Sequence, residues 1–207
     1  MTYDELIALV EAEIIDLDDT WLANKDRLLK RAQLRIENDL DLDAARVDAE
    51  LIVMADQQYT LPDDLVLIQH LRVMNGDYLE YKDRSYLRSY WPNPAVIGNP
   101  KYYSYVDDST LLVAPTPPED TEMELSYTRR LAILSPTAPT NWLSLNTEDL
   151  LQYSLLLELA IWTKDAALEA TYKGLYSRTL SSTALTYNLR KRTGEYETGA
   201  PKARVQQ

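Results

Sequence analysis

Apolar residues recur at helical spacing towards both ends of the chain and at strand spacing in its middle. Thr2-Tyr3-Asp4-Glu5 has the pattern of a capping box, and Tyr3, Leu6, Ile7, Val10, Ile14 and Leu17 predict a first helix of about four turns. Asp18-Asp19-Thr20 breaks it and can cap a second. There Trp21, Leu22, Leu28, Leu29, Ala32, Ile36 and Leu40 make a stripe opposite Lys25, Arg27, Lys30, Arg31 and Arg35. Acids flank these bases, which predicts a solvated face laced with ion pairs.

From about Glu50 the period changes. Leu51–Met54 and Gln58–Leu61 are short β-favouring runs, and Pro62 with Asp63-Asp64 supplies a turn. Leu65–Met74 predicts a strand, and Asn75-Gly76 followed by Asp77–Tyr81 predicts a hairpin. Asp83 can cap a short helix to Trp91, stopped by Pro92 and Pro94. Lys101–Val106 and Thr110–Val113, joined at Asp107-Asp108-Ser109, predict another hairpin. In Thr121–Arg130, Met123, Leu125 and Tyr127 alternate with Glu122, Glu124 and Ser126, the pattern of a strand buried on one face. Leu134–Leu145, with Pro136 and Pro139, reads as a proline-pinned loop.

Two long helices follow, predicted at Asn146–Lys164 and Asp165–Leu189. Asn146 can cap the first, with Glu148 and Asp149 at its positive dipole end. Beyond that turn the helix is apolar almost all round and must be covered on several sides, by its own bundle, by a neighbouring copy, or by both. The second carries Leu168, Tyr172, Leu175, Tyr176, Leu180 and Tyr187 on a broad stripe, interrupted by Gly174. After Leu189 the chain has almost no apolar residues and predicts an extended basic tail. The expected fold is therefore α+β: a helical bundle from residues 1–49 and 146–189, an inserted antiparallel β domain at 50–145, and the tail at 190–207.

Composition narrows the function. The chain has 207 residues, no Cys and a net charge of -12. Residues 1–60 hold 15 acids and 6 bases, 61–145 hold 11 and 7, and 146–189 hold 5 and 3; 190–207 alone is basic, with 2 and 5. Tight nucleic-acid binding relies on Lys and Arg neutralising phosphates, so this balance argues against it. The lack of Cys, of a membrane-length apolar run and of a signal peptide points to synthesis in a reducing cytoplasm and to no membrane contact. There are 15 Tyr and no Phe, a usage that suits half-wet surfaces and interfaces as well as ordinary core sites.

Reactive groups form no constellation. His70 is the only histidine, and its apolar neighbours Ile68 and Leu71 favour a structural role. Five scattered glycines write neither a P-loop nor a dinucleotide fingerprint, and no nucleophile elbow occurs. Asp18-Asp19, Asp63-Asp64 and Asp107-Asp108 all fall at predicted turns, where aspartate bonds nearby amides. A hydrolase working through Glu119 and Asp120 finds no supporting site. No catalytic residue, metal or cofactor is expected; an oligomeric scaffold of another assembly is the alternative reading.

Taken in order, Tyr59-Thr-Leu-Pro-Asp-Asp-Leu65, Gly98-Asn-Pro-Lys-Tyr-Tyr103, Leu111-Leu-Val-Ala-Pro-Thr-Pro-Pro118, Leu125-Ser-Tyr127 and Asn141-Trp-Leu143 before the Leu/Tyr-rich helix resemble the head-to-tail adaptors of short-tailed bacteriophages, the tail tubular protein A type. The resemblance spans residues 1–189. It implies a structural virion protein of the neck and tail, forming a twelve-subunit ring between the portal and the tail nozzle, with tail fibre proteins as further partners and a channel through which DNA passes at ejection. On that reading the basic tail, with Arg190, Lys191, Arg192, Lys202 and Arg204, is the candidate portal contact. Leu155, Leu159, Trp162, Tyr172 and Tyr176 are the candidate subunit interface.

Overall fold

The computed structural model describes the chain except for residues 15–18, 41, 43–44, 55, 75 and 199–207, and without the side chains of 19, 49 and 188–198. In order the elements are α1 (Tyr3–Glu13), α2 (Asp19–Asp39), β1 (Arg46–Met54), β2 (Gln58–Thr60), β3 (Leu65–Val73), β4 (Glu80–Tyr81), α3 (Arg84–Tyr90), β5 (Tyr102–Asp107), β6 (Thr110–Ala114), β7 (Thr121–Arg129), α4 (Trp142–Asn146), α5 (Glu148–Thr163) and α6 (Ala166–Thr198). They fall into two compact units, Met1–Asp41 with the chain from Ala132 on, and Leu42–Leu131.

In the helical unit α5 is central, packing against α1, α2, α4 and α6. Nine of its sixteen residues are buried, among them Leu150, Leu151, Leu155, Leu156, Leu157 and Leu159. The close approach of α2 is marked by Ser154, whose hydroxyl donates to the Ala32 carbonyl at 2.9 Å. At the start of α1 the capping box forms: the Glu5 amide donates to Thr2 Oγ1 at 3.3 Å, and the Thr2 amide to Glu5 Oε2 at 2.7 Å. Tyr3, Leu6, Ile7 and Val10 are the buried stripe of α1. That helix stops at Glu13, before the expected Leu17, with Ile14 already extended.

Two further helix boundaries differ from expectation. Asn146 does not cap α5; it closes the five-residue α4, and its side-chain amide donates to the Trp142 carbonyl at 2.9 Å. The capping residue is Asn141, which accepts from the Ser144 amide at 2.9 Å while Ser144 Oγ accepts from the Asn141 amide at 3.0 Å. The predicted loop before α5 thus contains a helical turn. At the other end, α5 stops at Lys164, in the left-handed region at φ 59°, and Asp165 caps α6 by accepting from the Ala167 amide at 2.9 Å. Helix α6 runs on to Thr198, so 190–198 is helical rather than extended. Arg190, Lys191 and Arg192 are good helix formers, and a lack of apolar residues does not end a helix.

In the second unit β7 is the central strand of an antiparallel sheet of order β1-β7-β3. A second sheet has order β2-β6-β5-β4 and is mixed, because β4 pairs parallel to β5; the expected wholly antiparallel domain is corrected there. The two sheets share a core of Ile52, Met54, Leu61, Ile68, Leu71, Leu111, Val113, Met123, Leu125 and Tyr127. On β5, Tyr103 and Tyr105 pack on that core, while Tyr102 and Val106 join Leu87, Leu112 and Ala114 in a separate cluster with α3. Strand alternation explains the division. Helix α3 carries the Asp83 cap, which accepts from the Ser85 amide at 2.8 Å.

The predicted hairpin after β3 closes only in part. Gly76 N donates to Val73 O at 2.8 Å and Leu79 N to Leu71 O at 2.7 Å, with Arg72 bridged to Tyr78. Glu80 and Tyr81 then leave for β5. Burial of Leu79 in the shared core anchors the first three residues of the return, and Asn75 lies outside the described residues.

Candidate assembly interface

The sequence-chosen interface residues divide by burial. Leu155 and Leu159 have no exposure at all, so the chain's own helices cover them and a neighbouring copy is not needed there. Trp162 is half-buried at the C-terminal end of α5. Tyr172 and Tyr176 on α6 are buried, and each uses its hydroxyl as a tie to another helix. Tyr172 donates to Glu13 at 3.2 Å and Tyr176 to Asp39 at 2.7 Å. Tyr3 makes the same kind of bond, from α1 to Asp26 on α2. A phenylalanine at any of these sites would pack but give up the tie between helices, at Tyr172 leaving Glu13 with only its bond from Gln152 among the described residues, which gives the tyrosines a structural use.

Burial, joined by the facing carboxylate, pushes the phenols of Tyr3, Tyr172 and Tyr176 above their ordinary value. A raised phenol contributes stability in full below the unfolded-state value, about pH 10, and loses it as the pH climbs through the folded value. Alkaline titration is therefore expected to ionise these three phenols only together with loss of helix, so that the last step of phenolate absorbance and helical circular dichroism change in one transition. Tyr176→Phe should remove part of that coupling. Phenolate absorbance that is complete before any helix is lost would contradict the arrangement.

One charged cluster was not legible as such. Glu158, with its side chain 3% exposed, sits in the middle of α5 and receives Arg35 through Nε at 2.9 Å and through Nη2. Arg31 Nε lies 3.0 Å from the other oxygen, Oε2, without hydrogen-bond alignment, so that oxygen is held by charge alone. The expected solvated ion-pair face of α2 is thus partly an inward clamp on a buried carboxylate. The available signal was a lone acid inside Leu155-Leu156-Leu157-Glu158-Leu159.

The other candidate groups lie apart from it in the chain. His70 is exposed on β3, edge-on to Tyr78 at 5.8 Å, rather than seated among its apolar sequence neighbours. Glu119 and Asp120 are exposed in a turn, Asp120 with φ 60°. Asp107 accepts from the Ser109 amide at 2.9 Å, the turn use expected of it, and that bond holds its carboxyl below the usual range. Among the described residues no three His, Cys, Asp or Glu are placed to hold a metal ion, and no helix is long and apolar enough to cross a membrane. Of the candidate portal contacts, Arg190, Lys191 and Arg192 lie in α6 with side chains outside the description, and Lys202 and Arg204 lie outside the described residues.

A comparison with protein families matches the SU10 adaptor protein over residues 1–202. The chain belongs to the SU10 adaptor protein family. A comparison with curated proteins finds no match. Membership supports the role of a phage head-to-tail adaptor, a structural component of the virion that works among other virion proteins of the neck. It speaks for a structural rather than a catalytic protein. The SU10 adaptor match takes in both units and reaches past Leu189 into the basic segment.

Proposed function

We propose that this SU10 adaptor forms a ring, of twelve copies on the tail tubular protein A resemblance, between the portal and the tail nozzle, with a channel through which DNA passes. The family match across residues 1–202 carries the reading. A net charge of -12 supports it, since acidic copies around a channel would repel DNA and discourage adhesion during ejection. Trp162, half-buried on α5, remains a candidate lateral contact.

Electron microscopy of the purified protein with and without a portal ring tests the class. A twelve-fold collar on the portal is expected; a protein that never joins the portal would contradict it. The basic segment has its own test. Deleting residues 190–207 removes Arg190, Lys191, Arg192, Lys202 and Arg204 but keeps Tyr172 and Tyr176, the residues of α6 that are buried among those described. The truncated protein is expected to keep its melting temperature and lose portal binding, and undiminished binding would sink this role for the segment.

A further inference from the structure

The helical unit displays two faces of opposite charge that the chain leaves uncovered. On α2, Arg27, Lys30 and Arg31 stand at i, i+3 and i+4, all exposed, with Leu22 58% exposed nearby on the same helix. Like charges at that spacing repel one another. Asp26 beside them is taken by the Tyr3 hydroxyl, and Glu158 takes only Arg31 and Arg35. Among the described residues no carboxylate lies within ion-pair distance of Arg27 or Lys30.

On α1 the exposed residues include Asp4, Glu5, Ala8, Leu9 and Glu11, and the helix contains no base. Met1, Glu5, Ala8, Leu9 and Glu148 line a concavity of about 480 Å³. Leu9, 46% exposed, and Ala8 give it apolar surface beside two carboxylates; Glu148 already takes the Met1 ammonium, with 53% of its side chain still exposed, so Glu5 is the carboxylate open to a further cation. Bonds from Thr2 hold the Glu5 carboxyl below its usual range, so it stays ionised. Apolar surface next to carboxylates suits a long basic side chain, whose methylenes lie on the one while its head meets the other.

We infer that Arg27 and Lys30 on α2 of one copy dock at the α1 concavity of the next, lined by Glu5, Leu9 and Glu148. The occupant is a second copy because the complementary row is present on every chain, and because on a chain of net charge -12 such a basic row is where copies can attract. The two faces differ, so the contact is heterologous: each copy gives one face and receives on the other, which closes a ring when the rotation permits. The inference rests on the ring reading and assigns its lateral contact.

The absence of cysteine makes the test direct. Ala12→Cys, about a turn beyond Leu9 on α1, and Ala23→Cys, a turn before Arg27 on α2, both alter exposed side chains outside the contact and leave the helical core alone. Full-length chains are assembled on portal rings, treated with a short bifunctional thiol reagent and run on denaturing gels. The double variant is expected to give a ladder of linked oligomers, an equimolar mixture of the two single variants dimers only, and each single variant alone no linked species. The charge reversal Arg27→Glu with Lys30→Glu should abolish the collar at unchanged melting temperature. Collars that form without cross-linked oligomers, or that survive the reversal, overturn this docking and leave the ring reading standing. A wild-type protein that forms no collar on the portal overturns both.

Discussion

Replacing Leu155 with aspartate is expected to unfold the helical unit rather than release folded, unassembled subunits. Leu155 has no exposed surface, and the helices around it belong to the same chain. Loss of the leucine side chain from such a site costs about 2–5 kcal/mol. An unpaired carboxylate in its place adds several more, against a total stability of about 5–15 kcal/mol for an ordinary domain. Leu159→Asp should behave alike. Circular dichroism on heating is the measurement, and a Leu155→Asp protein that stays helical, melts near wild type and fails only to assemble would place Leu155 at a subunit contact after all.

The second large effect concerns Glu158. Arg31 is 54% exposed and Arg35 32%, whereas the carboxylate between them is 3% exposed, so the two sides of the pair are not equivalent. Removing the arginines, as Arg31→Met with Arg35→Met, strands a buried anion and is expected to cost about 3–5 kcal/mol. Glu158→Leu frees two guanidiniums that can turn to water and fills the site with apolar atoms, so it should cost much less. Adding Glu158→Leu to the arginine double variant should restore most of the loss, because a buried ion pair exchanged for apolar groups is often neutral. Urea midpoints of the four proteins decide it. A double variant within about 1 kcal/mol of wild type would show that the clamp has no stabilising role.

What the sequence made legible follows from the strength of local signals. The Thr2/Glu5 box, the Asp83 cap, the turn at Asp107-Asp108-Ser109 and the alternation of Met123, Leu125 and Tyr127 each act within a few residues, and each appears in the structure. Decisions made by distant partners were not legible. The hairpin breaks off after Leu79, which the core shared by two sheets holds, because Glu80 and Tyr81 pair with Tyr102 and Tyr103. Leu155 and Leu159 looked over-apolar because the faces that cover them lie more than a hundred residues earlier on α1 and α2, as well as on α4 and α6. The hydroxyls of Tyr172 and Tyr176 likewise meet Glu13 and Asp39 from the far end of the chain. For the interface, residue type pointed to the apolar helix, whereas burial moves the open surface outward to Leu9, Leu22 and the bases of α2.

The helical unit is built from two stretches of chain separated by the whole of Leu42–Leu131. Bringing its halves together closes a loop of about ninety residues, an entropic charge of about 4 kcal/mol before any contact repays it. During synthesis α1 and α2 leave the ribosome long before α5 exists, with Leu6, Ile7, Val10, Leu28 and Leu29 still lacking the helix that buries them. The β-rich unit, contiguous in sequence, has all its strands first and can fold in the interval. The surplus of 15 acids over 6 bases in residues 1–60 then has a use before assembly begins: mutual repulsion keeps nascent copies apart while their apolar stripe waits for the C-terminal helices.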